Sequence, residues 1–133
     1  MKDPAPEISA ERRKVCLIDD EESIREIYTI GLTAEGFDVV SAVDGKAGLL
    51  CIRSERPDII LLDLQMPVQD GFDVLNALSA DKDISRIPVI ILSNTDNEEA
   101  FRKAGSFSVA FFFVKSLVNP RKVAGAIREV FTR

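Results

Sequence analysis

Five short apolar runs are spaced along the chain, at residues 15–18, 37–42, 59–62, 89–92 and 111–114. Several of them carry no polar alternation, the pattern of a strand buried on both faces. The second to fifth are rich in β-branched or aromatic residues, which favours strand over helix. Between the runs the apolar period changes to that of a helix. Ile24, Ile27, Tyr28, Gly31 and Leu32 follow i, i+3, i+4, i+7, i+8, and so do Val123, Ala126, Ile127, Val130 and Phe131. Ala47, Leu50 and Cys51 make a shorter apolar face, as do Phe72, Leu75 and Leu78. Asn119-Pro120 reads as a helix N-cap followed by proline at the first helical position. Residues 98–107 form a weaker helical pattern interrupted by Gly105. A strand-then-helix unit repeated five times predicts an α/β fold, a doubly wound five-stranded parallel sheet with helices on both faces. For a sheet of this size the expected strand order is 2-1-3-4-5.

The chain length of 133 residues suits one domain. Residues 1–13, with two prolines and mixed charge, read as a flexible N-terminal tail, and 14–133 as the domain. No internal repeat or low-complexity segment is present. The apolar stretches are far shorter than the roughly 20 residues of a membrane span, and the N-terminus lacks the apolar core of a secretion signal. The expectation is a cytoplasmic protein without a membrane partner. A net charge of −5 argues against direct contact with nucleic acid. There is no histidine, which excludes an imidazole base and a His-ligated metal. Cys16 and Cys51 lack metal-site spacing and are assigned to packing.

The polar residues that remain share a position. Asp19 and Asp20 follow the first apolar run, Asp63 the third, Ser93 the fourth and Lys115 the fifth. In doubly wound sheets, ligands bind beyond the carboxyl ends of the strands, where the strand order reverses. Three carboxylates, a hydroxyl and an ammonium are therefore expected to meet there. Clustered carboxylates repel unless a cation neutralises them. Oxygen donors without imidazole or thiolate select Mg²⁺ or Mn²⁺. A cationic pocket with one carboxylate free to attack suits phosphoryl transfer to that carboxylate.

The segments VCLIDDEE, IILLDLQMPVQDG, VIILSN and FFFVKS together resemble the CheY-like receiver domain of two-component response regulators. The most specific part is Asp63-Leu64-Gln65-Met66-Pro67 followed by Asp70-Gly71. The resemblance spans about residues 14–131 and implies a flavodoxin-like receiver fold. It implies that Asp63 is the phosphoacceptor, that Asp20 binds Mg²⁺ directly and Asp19 through water, and that the Gln65 backbone carbonyl completes the protein ligands. Ser93 and Lys115 match the residues that engage the phosphoryl group, and Phe112 matches an aromatic switch position. The implied partners are a sensor histidine kinase or a histidine phosphotransfer protein, and a target protein met by the face of the fourth helix, fifth strand and fifth helix. Such a domain is a switch rather than an enzyme, catalysing only its own phosphorylation and dephosphorylation. Because the chain stops straight after the last helix, its signal is expected to pass by protein–protein contact, unless the chain is a receiver excised from a longer protein.

The chain departs from the family pattern at three places. Ser116 stands where proline usually follows the lysine, Asn94 where a small residue is usual, and Ser108-Val109 where Gly-Ala is common. With Ser116 in place of proline, a trans Lys115–Ser116 bond is expected, since cis costs about 3–4 kcal/mol before a non-proline residue. Which of Phe111, Phe112 and Phe113 faces outward is open, because alternation alone does not choose. Two other classes compete. A phosphatase of the haloacid-dehalogenase type also uses a nucleophilic Asp and Mg²⁺, but needs a second acid where Gln65 stands. A degenerate receiver that only binds partners would not need the full set of Asp19, Asp20, Asp63, Ser93 and Lys115.

Overall fold

A computed structural model describes residues 12–66, 69–94 and 97–133. Most of the expected tail, residues 1–11, lies outside the described residues, as do Pro67 and Thr95. The elements alternate as β1 (Lys14–Ile18), α1 (Glu22–Ala34), β2 (Asp38–Ala42), α2 (Gly45–Glu55), β3 (Ile59–Asp63), α3 (Gly71–Ala80), β4 (Val89–Ser93), α4 (Glu98–Ala104), β5 (Val109–Val114) and α5 (Pro120–Thr132). A short 3₁₀ turn, Lys115–Leu117, joins β5 to the loop before α5. All strand pairs are parallel, in the order β2-β1-β3-β4-β5.

The three central strands are buried almost throughout, which accounts for their unbroken apolar runs. Two cores flank the sheet. One packs α2 and α3 against residues such as Ile18, Ile60, Leu62 and Ile91. The other packs α1 and α5 against Leu17, Ile59, Leu61 and Ile90. Four helices begin on a side chain that accepts a backbone N–H from the first turn: Asp44, Asp70, Asn97 and Asn119. Asp70 and Asp73 form a reciprocal capping box at 3.0 and 3.1 Å. Asn119 caps α5 by accepting Lys122 N–H at 2.8 Å, with Pro120 inside the first turn, as the sequence predicts.

Three local expectations need correction. Ile27 does not join the buried stripe of α1; it is 53% exposed, because the helix contacts the sheet through Tyr28 and Leu32, with Gly31 against Pro120. Leu50 is 62% exposed, and α2 packs instead through Gly45, Gly48, Leu49 and Ile52. The reason is close approach: a Cβ on Gly48 would sit 2.6 Å from Cδ1 of Ile18, so a glycine marks the contact line of this helix. Strand β5 starts at Val109 rather than 111, and the register skips a residue at Ala110, where Val89 pairs Val109 and Ile90 pairs Phe111.

The stretch before β1 is tied down where it is described. Arg12 donates to Asp38 Oδ1 and to the Phe37 carbonyl, both at 2.8 Å, and the Arg13 guanidinium lies 4.1 Å from the centre of the Phe131 ring. No described helix is long and apolar enough to cross a membrane.

Candidate functional site

The strands deliver the polar residues to one edge of the sheet. Asp19 follows β1 directly and is held there by its N–H, which donates to the Ala42 carbonyl of the neighbouring chain segment at 3.2 Å. Asp63 is the last residue of β3 and Ser93 the last of β4, and Ser93 pairs in register with Val114, one residue before Lys115. Asp19, Asp63 and Ser93 are all buried, while Asp20 is exposed at the mouth. One carboxylate oxygen from each of Asp19, Asp20 and Asp63 lies within 4.8 Å of the others. The structure thus brings together the three acids that the sequence places at the ends of two strands, Asp19 and Asp20 after the first and Asp63 at the end of the third.

Lys115 crosses this cluster. Its Nζ lies 2.8 Å from Asp19 Oδ2, 2.9 Å from Glu21 Oε1 and 3.4 Å from Asp63 Oδ2. The inner oxygens of the two buried acids each accept one backbone N–H: Glu21 N–H to Asp19 Oδ1 at 2.9 Å, and Gln65 N–H to Asp63 Oδ1 at 3.2 Å. The remaining oxygens, Asp19 Oδ2 and Asp63 Oδ2, have no aligned hydrogen-bond donor. Lys115 approaches both as an ion-pair partner, at 2.8 Å from Asp19 Oδ2 and 3.4 Å from Asp63 Oδ2. Buried carboxylate oxygens left in this condition are costly in isolation. They fit a hard divalent cation, since the donor set is all oxygen with no imidazole or thiolate beside it.

The electrostatics follow from burial. Desolvation, and then the neighbouring Asp19 carboxylate, push the Asp63 carboxyl up to about 7, against the pull of Lys115 and the Gln65 N–H. Asp19 is raised as well, by desolvation that its contacts with Lys115 and the Glu21 N–H only partly offset. For Lys115 burial favours the neutral amine, but the contacts with Asp19 and Glu21 outweigh it and its pKa is raised.

A backbone turn closes the site. Gly71 N–H donates to the Leu64 carbonyl at 3.0 Å, and a Cβ at Gly71 would meet the Asp63 carbonyl oxygen at 2.5 Å. The Asp70-Gly71 pair therefore has a structural reason: aspartate caps α3 and glycine lets the helix start press against the loop after Asp63. Gln65 is exposed beside this loop and Asn94 is exposed after Ser93. The Lys115–Ser116 bond is trans, as expected.

The alternation of β5 is settled by its neighbours. Phe111 and Phe113 stack at 5.4 Å on the α1/α5 side. Phe112 lies on the opposite side, its ring edge-to-face with Phe101 of α4 at 5.2 Å. Glu21 escaped attention in the sequence, although it directly follows the paired aspartates. Arg25, four residues on, was also missed: it donates to the Asp19 carbonyl at 2.8 Å and braces the loop.

The family model for the response regulator receiver domain matches residues 15–128. The chain belongs to that family. This receiver is 35% identical over 123 residues to the DNA-binding response regulator MtrA of Mycolicibacterium smegmatis, an alignment covering 92% of the chain and 52% of the relative. It is 33% identical to the probable transcriptional regulator ycf27 of Porphyridium aerugineum, covering 92% and 50%. The chain thus spans about half the length of these curated relatives. Among solved structures, the receiver superposes on the chemotaxis protein CheY4 of Vibrio cholerae with a TM-score of 0.82 at 27% identity, covering 90% of this chain and 98% of the other. It superposes equally well, at 0.82 and 27%, on the receiver domain of the Francisella response regulator 1452, covering 92% and 98%.

Proposed function

We propose that this receiver is a phosphoacceptor switch in which Asp63 takes a phosphoryl group from a phosphohistidine of a sensor kinase or a phosphotransfer protein. The observation that carries the reading is the buried Asp63 carboxylate, with Oδ2 lacking an aligned donor and Lys115 Nζ 3.4 Å away. A carboxylate oxygen of Asp63 attacks phosphorus. The P–N bond to the donor imidazole breaks, its electron pair stays on the ring nitrogen, and an acyl phosphate forms on Asp63. Lys115 and Ser93 then engage the phosphoryl oxygens. Residues fitted to hold Mg²⁺ or Mn²⁺ are Asp20, Asp63 and the Gln65 backbone carbonyl, with Asp19 acting through water. When bound, the ion screens the negative charge that otherwise opposes the meeting of carboxylate and phosphoryl group.

Ser93 moving toward the phosphoryl group leaves room for Phe112 to turn inward, altering the face made by α4, β5 and α5, through which a target protein reads the state. The absence of a second acid at Gln65 sets this chemistry apart from a hydrolase. The MtrA and ycf27 relatives are named as DNA-binding and transcriptional regulators. With a net charge of −5, the present chain is suited to protein contacts in the cytoplasm rather than to the DNA backbone. Acetyl phosphate followed by a phosphate-affinity gel tests the reading. The wild type gains an acid-labile retarded band and Asp63→Asn does not. A band of equal strength in the variant places the site elsewhere.

A further inference from the structure

Helix α1 starts differently from the other four. Helices α2 to α5 each begin on an Asp or Asn whose side chain accepts a first-turn N–H. At the same position α1 has Glu21, whose side chain makes no capping bond. Glutamate is a poor N-cap because its longer arm does not fold back onto the first turn. Here the arm reaches across the site mouth to Lys115, 94 residues away, at 2.9 Å. Lys115 Nζ is therefore closer to Asp19 and Glu21 than to Asp63, the acid where it is needed. The Glu21 side chain is half-exposed while that of Lys115 is buried.

We infer that Glu21 is a positioning residue that latches Lys115 toward the α1 side of the site and restrains phosphorylation of Asp63. The inference rests on the phosphoacceptor reading above. Two effects act in the same direction. An ammonium has three N–H donors, and a contact spent on Glu21 is unavailable to an incoming phosphoryl oxygen. The Glu21 carboxylate also adds negative charge at the mouth, where the donor brings its own. Engagement of the phosphoryl group by Lys115 then competes with the Glu21 contact, which together with Asp19 draws the ammonium to the α1 side, so loosening the Glu21 pair eases phosphorylation.

The test uses Glu21→Gln, which keeps the shape and removes the charge, with the exposed neighbour Glu22→Gln as the control for net charge. The first readout involves no phosphoryl chemistry. In the metal-free protein the Lys115 ammonium gives a ¹H–¹⁵N signal protected from exchange, and Glu21→Gln shifts it and speeds its exchange, while Glu22→Gln leaves it in place. The second readout is the rate of modification by acetyl phosphate at saturating Mg²⁺. Glu21→Gln raises it roughly three- to tenfold and lessens its dependence on salt, whereas Glu22→Gln changes it less than about twofold. An unchanged Lys115 signal in Glu21→Gln overturns the latch. So does a wild-type rate in that variant, or equal acceleration by Glu22→Gln. If the wild type takes up no phosphoryl group at all, the phosphoacceptor reading falls, and the latch as a restraint on it falls too; the ammonium signal would then still show whether the ion pair exists.

Discussion

At the residue scale the decisive feature is the carboxylate of Asp63, buried beside a second acid. Its pKa is raised from the ordinary aspartate value of 3.8 to about 7 by burial and by Asp19. Between these values the folded, metal-free protein holds a proton that the unfolded chain has released. Stability therefore falls as pH rises through this window, by at most about 1.4 kcal/mol per pH unit for one proton. The contribution is fully present below about pH 4 and lost above about pH 7. Denaturation of the EDTA-treated protein across pH 4–8, with Asp63→Asn as reference, checks the sign: the advantage of Asp63→Asn over wild type should grow toward pH 8. A difference that shrinks toward high pH would contradict the burial argument. Asp20 tests the cation fit separately. It is exposed and removable without opening the core, so Asp20→Ala should weaken Mg²⁺ binding at least tenfold in a titration and leave the fold intact. Asn94, exposed after Ser93, replaces a usually small side chain, and Asn94→Ala is expected to speed modification by acetyl phosphate. Rates equal to wild type would show that it does not narrow the approach.

At the element scale the site depends on close contacts at helix starts. Gly71 opens α3 with no room for a side chain, since a Cβ would meet the Asp63 carbonyl oxygen at 2.5 Å and Leu64 Cα at 2.7 Å. Backbone on both sides cannot yield as a flexible side chain can. Gly71→Ala is predicted to destabilise the fold by about 2 kcal/mol and to displace the loop carrying Gln65. Urea denaturation and the acetyl phosphate rate should both register the change; wild-type values in both would show that the loop is more compliant than its contacts imply. Gly48 marks a different close contact, inside α2, where the helix meets the sheet through the Ile18 side chain. Gly48 shows why apolar periodicity misplaced the buried face of α2. The pattern counts side chains, and the closest contact is made where there is none.

At the scale of the whole molecule, strand β5 and the turn after it carry Phe112 and Lys115 to two different parts of the domain. Phe112 lies on the α4 side of β5, while Lys115, three residues on, reaches the acids over β1 and β3. Its ring is half-buried against an exposed Phe101, an aromatic pair with room to rearrange. Adding beryllofluoride with Mg²⁺ is expected to move amide signals across residues 98–133, centred on α4, β5 and α5. Changes confined to α1 would contradict that coupling.

The sequence by itself determined the order and type of the elements, the parallel sheet, and the strand-end positions of Asp19, Asp20, Asp63, Ser93 and Lys115. These are local properties: a buried strand needs an unbroken apolar run, and a helix needs a period near 3.6. The resemblance of the segments that carry these residues pointed to a receiver, which the family match then showed. Tertiary structure decided which phenylalanine of β5 meets α4, which line of α2 touches the sheet, where Ala110 shifts the register, and that Glu21 holds Lys115. Each of these depends on how far one element stands from another. That distance is set by packing across the sheet, between residues that the chain itself keeps far apart.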